Sequence, residues 1–355
     1  MTLSQRVGPC RAYSLTFFTK RTSSLLLTLF KLLAKLPLGL MQALGRVLGL
    51  GVWVLSASYR KAFGQQADLA NLDLATRLRA LMNTGAMVAE LPWAWCRPKA
   101  EDLLSRVSWS GESCIQEALE KGQGVIILSP HLGCWEIGAQ ILAARFGEQF
   151  GDLVAMYRPP RKSFLLPLFE HARNRAHLRT VPTSSQGIRE ILRTLKNGGM
   201  TALLPDQVPP LGQGVWVKFL GQEAYTMTLA MKLAHQTQSL VVMGWCERLP
   251  RGQYRGHFAP LEMPAKGNGA HAAQKKEEAR ESLPPSSLTL DGSTANKVSA
   301  GFDIHAACQV MNDAIEQMVK QHATQYLWGY ARFKQPRELR QEMQSAVHVS
   351  PKEGH

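Results

Sequence analysis

The chain has no Cys-x-x-Cys pair: its six cysteines, Cys10, Cys96, Cys114, Cys134, Cys246 and Cys308, lie far apart. Neither a zinc knuckle nor a dense disulfide framework is indicated, and a reducing compartment is favoured, with cysteines serving as small buried hydrophobes. There is no Gly-rich phosphate loop, so no nucleotide cofactor is expected, no H-x-x-x-H spacing to indicate a metal, and no internal repeat. No uninterrupted apolar run of about 18 residues occurs near the N-terminus, so a single clean transmembrane span is not assured. No small-x-small cleavage site follows a compact apolar core, which argues against a secretory signal. Acidic residues are few: 27 Asp+Glu face 41 Lys+Arg, a formal charge of +14. That excess calls for a polyanionic partner, either nucleic acid, an anionic membrane surface, an acidic protein or a phosphorylated substrate. The basic residues are dispersed and carry no nucleic-acid motif, so nucleic acid is not expected.

What the chain does have is 355 residues with 45% hydrophobic content, enough for a substantial core in one large or two ordinary domains. Residues 11–61 form a basic, apolar leader cut into pieces by Lys31, Lys35, Pro37 and Arg46. In the first piece Leu26, Leu29, Phe30, Leu33 and Leu36 recur at helical spacing, with Ser24, Thr28, Lys31 and Lys35 opposite. The second, residues 38–55, is apolar nearly all round. Lysines on one face and leucines on the other suit a helix lying in a bilayer interface, its basic flanks snorkelling to headgroups. Residues 1–62 therefore read as a membrane anchor, against the plainer alternative of an amphipathic core helix.

From about residue 71 helical periodicity alternates with short β-rich runs. Helices are expected at 71–91, 113–119, 136–146, 164–177, 186–195, 228–234 and 306–320. The runs "GVIILS", "LVAMY", "MTALLP" and "LVVMGW" between them read as strands. This is an α/β pattern with a mixed central sheet flanked by helices over residues 63–335. Residues 264–300 interrupt it with Gly, Ser, Pro and charge and read as a disordered insertion, and 336–355 as a flexible tail.

Chemistry concentrates where "GVIILS" ends in "PHLGCWEIG". Active-site residues of open α/β sheets collect at the C-terminal ends of strands, and His131, Cys134 and Glu136 stand at such an end. Five residues apart on a regular helix, His131 and Glu136 would point about 140° apart. With His131 in the strand-to-helix turn, the imidazole can fold back toward the carboxylate. A carboxylate on Nδ1 fixes the tautomer and supports the imidazolium formed when Nε2 takes a proton, the general-base half of an acyl-transfer site. No serine nucleophile stands beside it, so the nucleophile could be a hydroxyl of the substrate. Three rivals compete: a structural turn with Glu136 favouring the helix dipole, a metal site short of further ligands, and Cys134 as a covalent nucleophile at a helix N-terminus.

"PHLGCWEIG", "MYRPPRKSFL", "GGMTALLPDQ", "GVWVKFLGQEAYT" and "YLWGYARFKQP" occur in that order. Together they resemble the bacterial lipid A biosynthesis late acyltransferases, over nearly the whole chain except residues 264–300. The resemblance implies a glycerolipid-acyltransferase-like fold and an N-terminal membrane-associating helical segment. It further implies location at the inner membrane with the catalytic domain facing the cytoplasm, an acyl-acyl carrier protein donor, and an anionic lipid acceptor bearing phosphates. It carries the catalytic base and its partner onto His131 and Glu136. Three departures stand out: Phe219-Leu220-Gly221 where the family has two aromatics before the glycine, Ser163 where an Asn commonly follows the "YRP" block, and Ala331 for the first arginine of W-x-x-R-R-F-K.

Arg158 follows "LVAMY" and should share the sheet edge with His131, where a guanidinium can grip a phosphate bidentately. Arg161 and Lys162 extend the basic rim or are simply solvated. Arg173 and Arg175, two apart on an expected helix, cannot share one face, so at most one lines the cleft. Asp206 orients Arg158 or a substrate hydroxyl, or else caps a turn before Pro209-Pro210. Gly221 and Thr226 shape the acceptor side or form a plain turn. The reading is a membrane-associated O-acyltransferase that passes a fatty acyl chain from acyl carrier protein to a hydroxyl of a lipid A precursor. Its competitors are transfer to another acceptor (a phospholipid, ornithine lipid or glycolipid), a thioesterase, and a non-catalytic membrane lipid-binding protein.

Overall fold

The computed structural model describes residues 24–98, 102–158, 160, 162–173, 175–263 and 302–341. The expected insertion at 264–300, most of the expected tail, the start of the leader and Arg161 lie outside the described residues. So does the Arg173 side chain.

Two helices open the described chain, α1 (Ser24–Leu33) and α2 (Leu38–Leu55), separated by Pro37. They are followed by α3 (Ala57–Leu69) and α4 (Leu74–Cys96). α2 inverts the usual amphipathic rule. Beyond Leu38 and Met41 at its start, the face it buries is small or polar, with Gln42, Gly45 and Gly49. Its large apolar residues point outward: Leu40, Leu44, Val47, Leu48, Val52, Val54 and Leu55 are all exposed. The cause is the contact with α4. A Cβ on Gly85 would stand 2.0 Å from the Gly45 carbonyl oxygen, and one on Gly49 2.3 Å from that of Leu81. Such backbone-to-backbone contact is open only to glycine, and it is the small-xxx-small packing common between helices in lipid.

The remainder forms α5 (Ser113–Glu120), α6 (Trp135–Phe150), α7 (Leu166–Arg173), α8 (Ser185–Lys196), α9 (Leu229–Thr237) and α10 (Ile304–Gln321) around a seven-stranded sheet. The strands are β1 (Val107–Ser110), β2 (Val125–Leu128), β3 (Leu153–Tyr157), β4 (Leu178–Pro182), β5 (Met200–Leu203), β8 (Leu240–Arg248) and β9 (Tyr254–Pro260), in the order β1-β9-β8-β2-β5-β3-β4. Pairing is parallel except between β8 and β9. A separate hairpin, β6 (Gly214–Phe219) and β7 (Gln222–Met227), turns at Leu220-Gly221, both at positive φ.

The α/β class with a mixed central sheet agrees with expectation, and each of the four β-rich runs is a strand. β2 is buried along its whole length because helices cover both faces of the sheet at its centre, which is why it reads as an unbroken apolar run rather than an alternating one. Helix 164–177 is corrected: α7 ends at Arg173, and Arg175 pairs with Leu178 in an isolated bridge leading into β4. Strands β1, β4, β6, β7 and β9 and helix α3 go beyond what periodicity indicated, since strands of four to seven residues give period-2 patterns little length to register.

Candidate active site

β2, β5 and β3 run parallel and side by side, so their C-terminal ends deliver His131, Asp206 and Arg158 to one edge of the sheet. Past β2, Ser129 N–H still donates to the Leu203 carbonyl of β5 at 3.0 Å, and Pro130 then ends the ladder. The next four residues, His131 to Cys134, are tied on two sides. Gly133 N–H donates to Gln325 O at 2.9 Å, Leu327 N–H to His131 O at 3.0 Å, and Cys134 N–H to Cys246 O at 2.8 Å. Gly133 is obligatory here: its φ is +64°, and a Cβ would stand 2.1 Å from the Cys246 carbonyl oxygen. The turn is thus held between the extended end of β8 and the C-terminal segment 325–328.

His131 is 8% exposed. Its Nδ1 lies 2.7 Å from Asp206 Oδ1, and its backbone N–H donates to Asp206 Oδ2 at 2.9 Å. The Tyr326 hydroxyl donates to the same Oδ2 at 3.3 Å. Asp206 is 2% exposed. Burial alone would raise its carboxyl, but the His131 imidazole, the bonds from its ring and backbone and the Arg332 guanidinium outweigh burial and leave the carboxyl below its ordinary value. It is therefore a carboxylate at neutral pH and accepts a hydrogen from Nδ1, which in the neutral ring leaves Nε2 as the basic nitrogen. The partner on Nε2 is the Gln207 side-chain amide, at 3.1 Å, and not a serine or cysteine. Trp135 packs edge-on against the imidazole with ring centres 4.8 Å apart.

The carboxylate on Nδ1 is thus Asp206, from the neighbouring strand, where the spacing in "HLGCWE" pointed to Glu136. The reason is local geometry. The chain leaves His131 into α6, and Glu136, in that helix's first turn, faces α4, where its Oε2 accepts from Trp95 Nε1–H at 2.9 Å. The protein partners of Asp206 are thus His131 and Tyr326, where the sequence pointed to Arg158 or a turn.

Arg158 is exposed just beyond β3, and its charge contributes to holding the Glu338 carboxyl down, after that group's backbone hydrogen bonds and Arg337. Arg175 turns away from the edge and donates to the carbonyls of Arg97 and Ala94 at the end of α4, at 3.1 and 3.4 Å. Cys134 is 1% exposed, and burial followed by its hydrogen bond with Cys246 pushes its thiol well above the ordinary value, so the helix N-terminus yields no thiolate there. Thr226 is fully buried and accepts from Arg332 Nη2 at 2.6 Å, a core contact. Among the described residues no three His, Cys, Asp or Glu side chains converge as metal ligands.

The C-terminal segment is the part of the site that sequence reasoning left without a role. Tyr326 reaches Asp206, the Tyr330 hydroxyl accepts from Val208 N–H at 2.9 Å, and Gln325 clasps both the Arg248 backbone and the Gly133 turn. Arg248 continues the chain of contacts. Its guanidinium grips Glu90 of α4 bidentately at 3.0 and 2.6 Å, and Glu90 also accepts from Gln42 of α2 at 3.1 Å. A continuous buried network therefore joins α2 to the turn bearing His131. The only sequence signal for it was the presence of polar residues, Gln42 and Glu90, in otherwise apolar helices.

A family model described as bacterial lipid A biosynthesis acyltransferase matches residues 21–335. The chain belongs to that family. Its described match spans the leader helices, the whole sheet and the C-terminal segment that clasps His131. It is also 23% identical over 228 residues to lipid A biosynthesis acyltransferase 2 of Shigella flexneri, an overlap of 64% of this chain and 61% of that relative. The chain thus aligns with less than two thirds of the relative's length.

Proposed function

We propose that this family member is a membrane-associated O-acyltransferase in which His131 is the general base, and that it moves a fatty acyl chain from an acyl carrier protein thioester to a hydroxyl of an anionic lipid A precursor. The observation that carries the reading is the buried Asp206 carboxylate 2.7 Å from the His131 Nδ1. That carboxylate on Nδ1 presents Nε2 as an acceptor at the C-terminal edge of the parallel strands, and among the described residues its partner is the Gln207 amide rather than a hydroxyl or thiol nucleophile. A base so prepared acts on a hydroxyl brought by the substrate.

In that reaction the substrate hydroxyl gives its proton to Nε2 as its oxygen bonds to the thioester carbonyl carbon. Asp206 steadies the imidazolium, which then protonates the departing thiolate as the C–S bond breaks. Two carboxylates divide the work. Asp206 orients the ring, while Glu136, held by Trp95, forms the wall where α4 meets α6. Arg158, with Arg173, stands for contact with the acceptor's phosphates. Arg175 is the weaker choice because its guanidinium serves the end of α4.

The exposed apolar face of α1 and α2, from Leu25, Leu29, Leu32 and Leu36 through Leu55, supports attachment to the cytoplasmic face of the inner membrane. Among the described residues α2 is the one helix long and apolar enough to cross a bilayer, with a mean hydropathy of 1.6 over 18 residues. Its close packing on α4 favours a helix lying at the surface of the lipid with the catalytic domain beside it.

The test is to incubate detergent-solubilised protein with acyl carrier protein thioesters of several chain lengths and a tetra-acylated lipid A precursor, following product mass. Gain of one acyl group, lost in His131→Ala, is the expected result. Transfer to a phospholipid alone would replace the acceptor, and full activity in His131→Ala would overturn the reading.

A further inference from the structure

The reactive nitrogen of His131 is occupied. In the neutral ring with Nδ1–H committed to Asp206 at 2.7 Å, Nε2 accepts, and the Gln207 amide nitrogen 3.1 Å from it is the donor. The opposite orientation would set an amide oxygen against a lone pair. The backbone on either side of Gln207 is fixed: Asp206 has both oxygens engaged, and Val208 N–H donates to the Tyr330 hydroxyl at 2.9 Å. The Gln207 side chain is half-buried, and rotation about its own χ angles frees Nε2 without disturbing the loop.

We infer that Gln207 is a displaceable cap on the base, which holds Nε2 against water until the acceptor hydroxyl takes its place, and so favours acyl transfer over hydrolysis of the thioester donor. This rests on the reading of His131 given above. An uncapped imidazole would serve water as readily as an alcohol. Water would give its proton to Nε2 as its oxygen bonds to the thioester carbonyl. The C–S bond would break, and the thiolate would take the proton back, yielding a carboxylic acid and a free thiol. A tethered amide competes with water at high effective concentration because its translational freedom is already lost. The lipid acceptor overcomes the same cap because contacts remote from the hydroxyl hold it in place.

The experiment compares wild type, Gln207→Ala, Gln207→Asn and His131→Ala, using lauroyl-acyl carrier protein as donor. Free thiol release is followed without acceptor and product mass with it, alongside the ¹⁵N resonance of His131 Nε2. Both Gln207 variants lose the reach to Nε2, Asn because its amide is one methylene shorter. Each is expected to raise acceptor-independent thiol release by about tenfold, the factor corresponding to one net hydrogen bond. Transfer should change much less, and the Nε2 resonance should move to that of an imidazole nitrogen bonded to solvent. An unchanged ratio of hydrolysis to transfer in the folded variants would overturn the cap, as would a proportional loss of both. Retained transfer in His131→Ala would instead overturn the underlying reading.

Discussion

Asp206→Asn separates the two carboxylates that could serve His131. In the native site Asp206 Oδ1 accepts from Nδ1–H at 2.7 Å, and Oδ2 accepts from the His131 backbone at 2.9 Å and from Tyr326 at 3.3 Å. Asparagine has one oxygen and one NH₂ to set in those places. With its oxygen toward the ring, the NH₂ meets the His131 backbone N–H, donor against donor. With its oxygen toward the backbone, the NH₂ meets Nδ1 and forces the hydrogen onto Nε2, where no base remains. A buried group left in the wrong pairing costs roughly 1–3 kcal/mol of stability, seen as a fall of a few degrees in Tm. Loss of the correct tautomer and of the charge facing the imidazolium costs about 10³–10⁴ in kcat, as in other His–Asp pairs. Glu136→Gln is the control, because a glutamine oxygen can still accept from Trp95 Nε1–H. It should cost less than about tenfold, the weakening of one charge-assisted bond to a neutral one. Initial rates of acyl transfer at saturating donor and thermal melts of both variants measure this. Asp206→Asn within tenfold of wild type, with Glu136→Gln down a thousandfold, would refute the assignment of Asp206.

Three further outcomes are expected. Glu90→Ala strands the buried Arg248 guanidinium, raised by its partners despite burial, and should destabilise the chain by about 3–5 kcal/mol in urea unfolding, whereas Glu90→Leu with Arg248→Met should recover most of that loss. Gly85→Val forces α2 off α4, because its Cβ would stand 2.0 Å from the Gly45 carbonyl oxygen; limited proteolysis should then cut between the leader helices and α4, and the Tm should fall. Burial, then the nearby His257, lowers the His322 imidazole from its ordinary 6.5 although Glu247 opposes this, so the unfolded chain protonates first. Stability should hold above about pH 6.5 and decline as the pH drops through that value toward the folded pKa, and His322→Gln should flatten the step in pH-dependent melts.

Much of this architecture was legible from local pattern. "GVIILS", "MTALLP" and "LVVMGW" are buried along most of their length in the middle of the sheet, "LVAMY" at its first two residues, and such strands announce themselves as apolar runs between turn residues. The position of His131 at a strand end followed from Pro130 and Gly133 alone. The leader's two apolar helices were visible too, but their docking was not. Periodicity marks which residues share a face, and it carries no sign that α2 would bury Gly45 and Gly49 and leave Leu40, Leu44, Leu48 and Leu55 outside.

What the sequence determined by itself was the elements and the edge on which the chemistry collects, because strand and helix period and turn chemistry act over a few residues. Which carboxylate meets the imidazole was decided only in three dimensions. One parallel neighbour of β2 is β5, 75 residues on from His131 to Asp206, and the polar segment that clasps both lies a further 120 residues from Asp206 at Tyr326. Adjacency across such distances is set by strand order and by the packing of helices on both faces. Spacing along the chain therefore pointed to the nearest carboxylate, Glu136, while the fold brought the distant one, Asp206, to the ring.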